Sequence, residues 1–386
     1  MANENLGAAK KGKNDEFYTQ YHDIEKEMNT YLDFDENVFL NKVVLLPCDD
    51  PEWSNFTKYF AQNFERLGLK KLISTSYAPD SKPQELNLQL SLFETQSPKF
   101  DKAKARANGK IYTLTRDTSG DKKINVEDLE WEYLKGDGDF RSPEVTALRD
   151  ESDIVITNPP FSLFRQFLEW IDAANKAMVV LGNQNAITYK DVFKLIRDKK
   201  LWLGPSISSG DREFRVPESY PLSAAGWRVD DAGQKFLKVK GIRWFTNLDH
   251  GRRHQPLTLM TESDNYKFSK HKEVKGIGYK KYDNYDAIEV PFTDAIPSDY
   301  PGMMGVPITF LDKYNPEQFE IIGMCENEDL YGLKTKQYTS ADCKAAYLAK
   351  FKKPGTYDLN ASGVLILSGQ YEKVYQRILI KHREAA

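Results

Sequence analysis

Residues 153–161 read Asp153-Ile154-Val155-Ile156-Thr157-Asn158-Pro159-Pro160-Phe161, and the rest of the chain is best read outward from them. Asp153 to Thr157 is a short β-branched, apolar run of the kind that forms a buried strand in a mostly parallel sheet. The prolines then end it. Neither can donate to a ladder, and each biases the residue before it toward an extended shape. A stiff turn at the carboxyl end of a strand is where open α/β sheets place their ligands. This turn offers the amide of Asn158, the carbonyl oxygen of Pro159 and the aromatic face of Phe161. That set suits a planar base with an exocyclic amine: two oxygens accept the amine hydrogens while the ring is stacked.

The flanking segments supply the rest of the sheet. Lys42 to Leu46 reads as a first buried strand, followed by Pro47-Cys48-Asp49-Asp50. Asn55 to Leu67 has helical spacing and is closed by Gly68, and Lys71 to Thr75 is a second strand. A strand–helix–strand order implies a right-handed parallel crossover. Residues 80–110 are polar and read as an insertion, and Lys110 to Leu134 as a hairpin about Thr118-Ser119-Gly120-Asp121. After the loop Gly136 to Phe140, a short helix (Pro143 to Asp150) precedes the strand at 153–157. An amphipathic helix (Ser162 to Asn175) and a further strand (Ala177 to Leu181) follow it. This alternation predicts an α/β fold with a doubly wound, mostly parallel sheet. Beyond Lys200 turns and strand-like runs dominate, and Gly363 to Leu367 with Val374 to Ile380 reads as a closing strand pair. The predicted organisation is a flexible arm over 1–13, a catalytic domain over 14–250 and a mixed α+β region over 251–386.

Composition narrows the class. A chain of 386 residues can bury one large core and a smaller one. It has no apolar run of about 18 residues and no apolar stretch behind the N-terminus, so neither a membrane span nor a signal peptide is expected. Cys48, Cys325 and Cys343 are scattered, which suits a cytoplasmic location and argues against a zinc site or a disulfide framework. With a net charge of −3, binding to nucleic acid must depend on how charge is distributed. Basic residues gather at Lys102 to Lys110, at Arg252-Arg253-His254, and at Lys267, Lys270, Lys272, Lys275, Lys280 and Lys281. Acidic runs lie at Asp117 to Glu132 and Glu144 to Asp153. Asp117, Ser119, Asp121, Asn125 and Asp128 are spaced like a calcium loop, but Lys122 stands where that loop needs glycine. His250 and His254 have helical metal-ligand spacing, yet Gly251-Arg252-Arg253 between them suits a phosphate-contacting loop better. No metal site is expected.

Asn-Pro-Pro-Phe is the motif of amino-group nucleic-acid methyltransferases, and the chain resembles the EcoRI-type adenine-specific DNA methyltransferase family over roughly residues 14 to 382. The segments carrying the resemblance are Asn14 to Thr19, Gly136 to Phe140, Asp153 to Phe161, Arg243 to Leu248, Asp286 to Val290, Met304 to Leu311 and Arg377 to Lys381. It implies a class I S-adenosylmethionine-dependent methyltransferase with a Rossmann-like catalytic domain and a C-terminal DNA-recognition region. Further implications are double-stranded DNA as partner, functional pairing with a restriction endonuclease, and no membrane association. Residue by residue, Phe17-Tyr18-Thr19 matches the element near the methionine end of S-adenosyl-L-methionine, with Gln20 in place of the family's proline. Pro47-Cys48-Asp49-Asp50 replaces a glycine-containing cofactor loop. Asp49 or Asp50 could meet the methionine amine, against a capping role at the helix near Asn55. Ser74 to Tyr77 offers no acid for the ribose before Asp80. Asp139 matches the acceptor for the cofactor adenine amine, and Phe140 the ring packed on it.

For catalysis the resemblance implies Asn158, Pro159, Pro160 and Phe161 acting on N6 of an adenine flipped out of the duplex. Trp244 or Phe245 would cover the other face of the base, with core packing as the competing role for both. Arg252, Arg253, Lys267, Lys270, Lys272 and Lys275 would contact DNA. Methylation of an RNA base or of a protein glutamine uses the same tetrapeptide, and a non-catalytic DNA-binding protein would fit the missing glycine loop. A nicotinamide enzyme is disfavoured because no Gly-x-Gly-x-x-Gly follows the first strand.

Overall fold

A computed structural model describes residues 17–49, 54–78, 97–208, 211–216, 220, 226–326, 328–357, 364–373 and 375–383. The arm at 1–13, Asn14 to Glu16, Asp50, Asp80 and residues 80–96 of the expected insertion lie outside the described residues. The chain divides into two compact units between His250 and Gly251.

The first unit is built on an eight-stranded sheet. Its strands are β1 (Val43–Leu46), β2 (Lys71–Ser76), β3 (Lys110–Leu114), β4 (Glu130–Tyr133), β5 (Ile154–Thr157), β6 (Ala177–Asn183), β7 (Trp202–Leu203) and β11 (Ile242–Thr246). Across the sheet the order is β4-β3-β2-β1-β5-β6-β11-β7. The four central strands run parallel, with Leu45 beside Ile73 on one side and Val155 on the other, and Thr157 beside Val180. The flanks are antiparallel. Every residue of β1 and of β5 is buried, as continuous apolar runs require of strands covered on both faces.

Helices enter and leave this sheet on local signals. Between β1 and β2, α2 (Asn55–Gln62) starts at Ser54, whose hydroxyl accepts from the Phe56 amide; α3 (Pro143–Glu151) starts at Ser142 with Pro143 in its first turn. Between β5 and β6, α4 (Phe164–Asp172) buries Phe164, Phe167, Leu168 and Ile171, one apolar stripe at helical spacing. A second sheet, ordered β8-β10-β9 and antiparallel, is inserted between β7 and β11. It comprises β8 (Asp211–Val216), β9 (Trp227–Val229) and β10 (Lys235–Lys240).

The second unit holds a four-stranded sheet, β12 (Ala287–Glu289), β13 (Met303–Pro307), β17 (Arg377–His382) and β14 (Phe319–Met324), in that order. The expected pairing of 363–367 with 374–380 is not formed. Instead β15 (Val364–Leu367) turns back through Ser368 and Gly369, both at positive φ, onto β16 (Gln370–Lys373), and β17 lies between β13 and β14. A two-residue turn of left-handed residues matches strand twist, and it uses up the partner edge of β15. Three family-like segments meet in the four-stranded sheet. Arg377 donates to both oxygens of Glu289 at 2.6–3.1 Å, and Tyr282 donates its hydroxyl to the same carboxylate.

Ahead of β1, α1 (Tyr21–Leu32) carries Glu27, fully buried. Glu27 accepts from the Tyr31 hydroxyl at 2.6 Å and from the Ser206 amide at 2.9 Å. Burial outweighs these bonds and lifts its pKa from 4.5 to about 7. Because the folded protein then holds a proton that the unfolded chain has lost, Glu27 favours folding below pH 4.5, and this contribution disappears as pH rises to about 7. Chemical denaturation across that window should show a loss on the order of 3 kcal/mol from this group, and Glu27→Gln should flatten the pH dependence.

Candidate active site

The carboxyl end of β5 carries the Asn158-Pro159-Pro160-Phe161 turn. Thr157 donates its hydroxyl to the Pro47 carbonyl, which ties the end of β5 to the loop after β1. Asn158 Nδ2 donates to the backbone carbonyl of Phe17 at 2.6 Å. The reverse orientation of the amide would set two oxygens against each other, so this bond fixes the direction of the other arm. Asn158 Oδ1 is enclosed and has no hydrogen-bond partner among the described residues. Leaving a buried acceptor unmet costs about 1–3 kcal/mol. Such an atom calls for an explanation, and a bound group that meets it is one.

Around the turn the aromatic side chains interlock. The Phe161 ring stacks on Phe17 with centroids 5.6 Å apart and planes at 24°, and meets Phe214 edge-on at 6.5 Å. Phe17 also packs against Phe214 and Tyr220. Tyr18 exchanges backbone hydrogen bonds with Arg215 of β8 at 2.9 and 3.0 Å, and Asn55 Nδ2 donates to the Thr19 carbonyl at 2.7 Å. The segment Phe17-Tyr18-Thr19 is thus held at three successive carbonyls. The Thr19 hydroxyl is buried and, like Asn158 Oδ1, lacks a partner among the described residues.

The loop after β1 contains no glycine, yet Cys48 takes a left-handed backbone at φ 63°. The chain therefore makes the sharp turn that a glycine would have made, with a side chain present. The Cys48 thiol is pushed well up, by burial first and then by the carboxylates of Asp139 and Asp49. Asp49 is buried and turned toward α2: its carboxylate accepts from the Ser54 hydroxyl and from the amide and hydroxyl of Thr57, the latter two at 3.2 and 2.8 Å. Of the two roles open to it, the structure shows the cap. Ser74 donates to the Asp49 carbonyl at 2.8 Å and Ser76 accepts from the Lys110 amide at 3.3 Å, so both hydroxyls are engaged.

Gly138 at φ 84° lets residues 136–139 press against the end of β2; any Cβ there would collide with the Ser76 carbonyl oxygen. The Ala78 amide donates to the Asp137 carbonyl at 2.7 Å. Asp139 accepts from Arg141 Nε and Nη2 at 2.9 and 2.6 Å, and these bonds hold its carboxyl below the usual range. Phe140 is 3% exposed, its ring set edgewise against Phe167 and Trp170. Asp139 is what this loop presents, while Phe140 anchors it.

Trp244 and Phe245 on β11 are both fully buried, against Phe56 and Phe164, and serve the core. Asp117 accepts from the amides of Gly120 and Lys122, and Asp128 from those of Thr118, Ser119 and Asn125, all at 2.6–2.9 Å. These carboxylates hold a hairpin turn together. His250 Nε2 lies 3.2 Å from the Leu203 carbonyl, and His254 Nδ1 2.9 Å from Glu317. In the second unit Arg252 and Arg253 lie half-buried in a short turn, and Lys267, Lys270, Lys272 and Lys275 are exposed, Lys270 being paired with Asp294 at 2.7 Å. Sequence reasoning did not find the parts played by the Phe17 carbonyl, Asn55, Phe214 and Tyr220. The alternation of Phe214 and Val216 with charged residues over 211–216 was the one available signal, and it gives no partner.

A protein-family model described as adenine-specific methyltransferase EcoRI matches residues 5–383. Type II methyltransferase M.EcoRI of Escherichia coli is 44% identical over 320 residues, 83% of this chain and 89% of that protein. Type II methyltransferase M.MpnI of Mycoplasma pneumoniae is 38% identical over 335 residues, 86% of this chain and 89% of that protein. M.MgeORF184P of Mycoplasma genitalium is 36% identical over 322 residues, 83% and 86% of the two chains. No solved structure matches the chain.

The left-handed turn at Cys48 yields a direct check. Cys48→Val puts a β-branched side chain at that φ and should lower stability by about 1–3 kcal/mol. Cys48→Gly relieves the backbone and should stay within about 1 kcal/mol of the parent. Chemical denaturation of the two variants distinguishes them.

Proposed function

The chain belongs to the EcoRI adenine-specific methyltransferase family and is a type II adenine-specific DNA methyltransferase. From that premise we propose that it methylates N6 of an adenine turned out of duplex DNA, with S-adenosyl-L-methionine as donor. The observation that carries this is the orphaned Asn158 Oδ1, locked in direction by the bond from Nδ2 to the Phe17 carbonyl. An acceptor fixed in this way suits an amine hydrogen, and the Pro159 carbonyl is the second acceptor. When both N–H bonds are accepted, the amine nitrogen is drawn toward a pyramidal shape and its lone pair is freed for attack. Pro160 stiffens the turn, and the face of Phe161 away from Phe17 would stack on the base. Placing the base costs a few kcal/mol of unstacking and unpairing, which this stacking partly offsets.

The residues present fit the cofactor. Phe17, Tyr18 and the partnerless Thr19 hydroxyl would hold it on one side, and Asp139, oriented by Arg141, on the other. Asp49 and Phe140 contribute by fixing the loops on either side. When bound, S-adenosyl-L-methionine supplies a methyl group already activated by its sulfonium. The protein is left to align the amine, and alignment of reacting groups supplies much of such catalysis. We read the first unit as a Rossmann-like class I methyltransferase domain from its parallel centre and intervening helices. The second unit is read as the DNA-recognition region, with Arg252, Arg253, Lys267, Lys270, Lys272 and Lys275 on phosphates.

Asn158→Ala tests the assignment. Single-turnover transfer of labelled methyl to duplex DNA should fall by about 10²–10³-fold, the cost of losing one preorganised polar contact, while DNA affinity measured by filter binding is retained. Turnover close to that of the parent would remove Asn158 from the mechanism.

A further inference from the structure

The second unit exposes a group of large apolar side chains set among its lysines. Between Glu262 and Lys281 the chain carries six lysines against three acids. Within that segment Phe268 is 68% exposed, Ile277 60% and Tyr266 49%. Isolated exposed apolar residues need no explanation, but a group of them marks an interaction site.

These side chains stand on a firm base. The helix α5 (Glu262–Phe268) is capped by Thr261, whose hydroxyl accepts from the Asp264 amide, and its interior is pinned by the buried Asn265, donating to the Met260 carbonyl at 3.2 Å. Buried Ser269 ends it directly after Phe268. The following turn is anchored by the fully buried Val274, and the Gly276 amide donates to the Tyr266 carbonyl at 2.8 Å. Gly276 and Gly278, at φ 71° and 80°, reverse the chain on either side of Ile277 and lift it outward. Tyr266 touches this turn beside Gly278. Lys267, Lys272 and Lys275 are exposed and have no carboxylate partner among the described residues.

We infer that this patch is a wedge site for duplex DNA, in which the lysines hold phosphates and Phe268, with Ile277, enters the base stack. The surrounding charge selects a polyanion. An apolar side chain held rigidly beside phosphate contacts can insert between base pairs, partly unstacking and unwinding them at a cost of a few kcal/mol. Lysines alone would bind without deforming the duplex. The inference rests on the proposed role of the second unit in binding DNA.

The test uses the full-length protein with closed circular plasmid relaxed by a topoisomerase, together with duplex affinity measured against salt. The parent should leave a change in linking number. Phe268→Ala and Ile277→Ala should at least halve that change and weaken binding several-fold, with the salt dependence unaltered. Phe268→Lys should keep the affinity through an added phosphate contact yet lose the unwinding. Lys272→Ala should lower the slope of log affinity against log salt by about one. If the Phe268 and Ile277 variants unwind DNA like the parent while Lys272→Ala still lowers the slope, the wedge is overturned and DNA binding by this unit stands. If none of the variants, Lys272→Ala included, changes duplex binding, the role of this unit in binding DNA falls, and the wedge with it.

Discussion

The hydrogen bond from Asn158 Nδ2 to the Phe17 carbonyl is the constraint on which the site depends. It spans strand β5 and a segment that precedes the first strand. A side-chain amide alone can rotate, and its two ends are nearly equal in size. Tied by its nitrogen, it presents its oxygen in a single direction. The carbonyl that receives it is fixed in turn, because the residues after Phe17 are tied to β8 and to Asn55. The stack of Phe17 on Phe161 runs beside the same link. Residues 17–19 and the turn after β5 are therefore one assembly, and a shift in residues 17–19 would be felt at the Asn158 amide.

The parallel centre of the sheet was legible because its strands are covered on both faces. Val43 to Leu46 and Ile154 to Ile156 are unbroken apolar runs, and the prolines at 159 and 160 mark where the second strand stops. The same residues mark the turn proposed to receive the base. Pairings that depend on distant partners were not legible. Val374 to Ile380 looks like a mate for Gly363 to Leu367, but the left-handed pair Ser368-Gly369 folds β15 onto β16 and leaves β17 to the larger sheet. No local pattern distinguishes those outcomes.

Side-chain roles at the site divide along the same line. For Asn158 the chemistry suggests one role, since few arrangements call for an amide before two prolines. For Asp49 it does not, because a carboxylate after a strand serves a ligand or a helix equally well, and only its distances to Ser54 and Thr57 show the cap. The absence of glycine from 47–50 suggested a different loop, yet Cys48 takes up the left-handed turn. Backbone conformation can outlast the residue type that usually signals it. In the second unit, Glu289 and Arg377 lie far apart in sequence and form a part-buried pair. Such a pair is costly to break once made, and it accounts for two segments whose role the sequence left open.

The most direct measurement is transfer of labelled methyl from S-adenosyl-L-methionine to mixed-sequence duplex DNA, followed by nucleoside analysis. A site built around an acceptor for an adenine amine predicts N6-methyladenine as the labelled nucleoside. Label on cytosine, or no label on DNA from a protein that binds both cofactor and duplex, would contradict it.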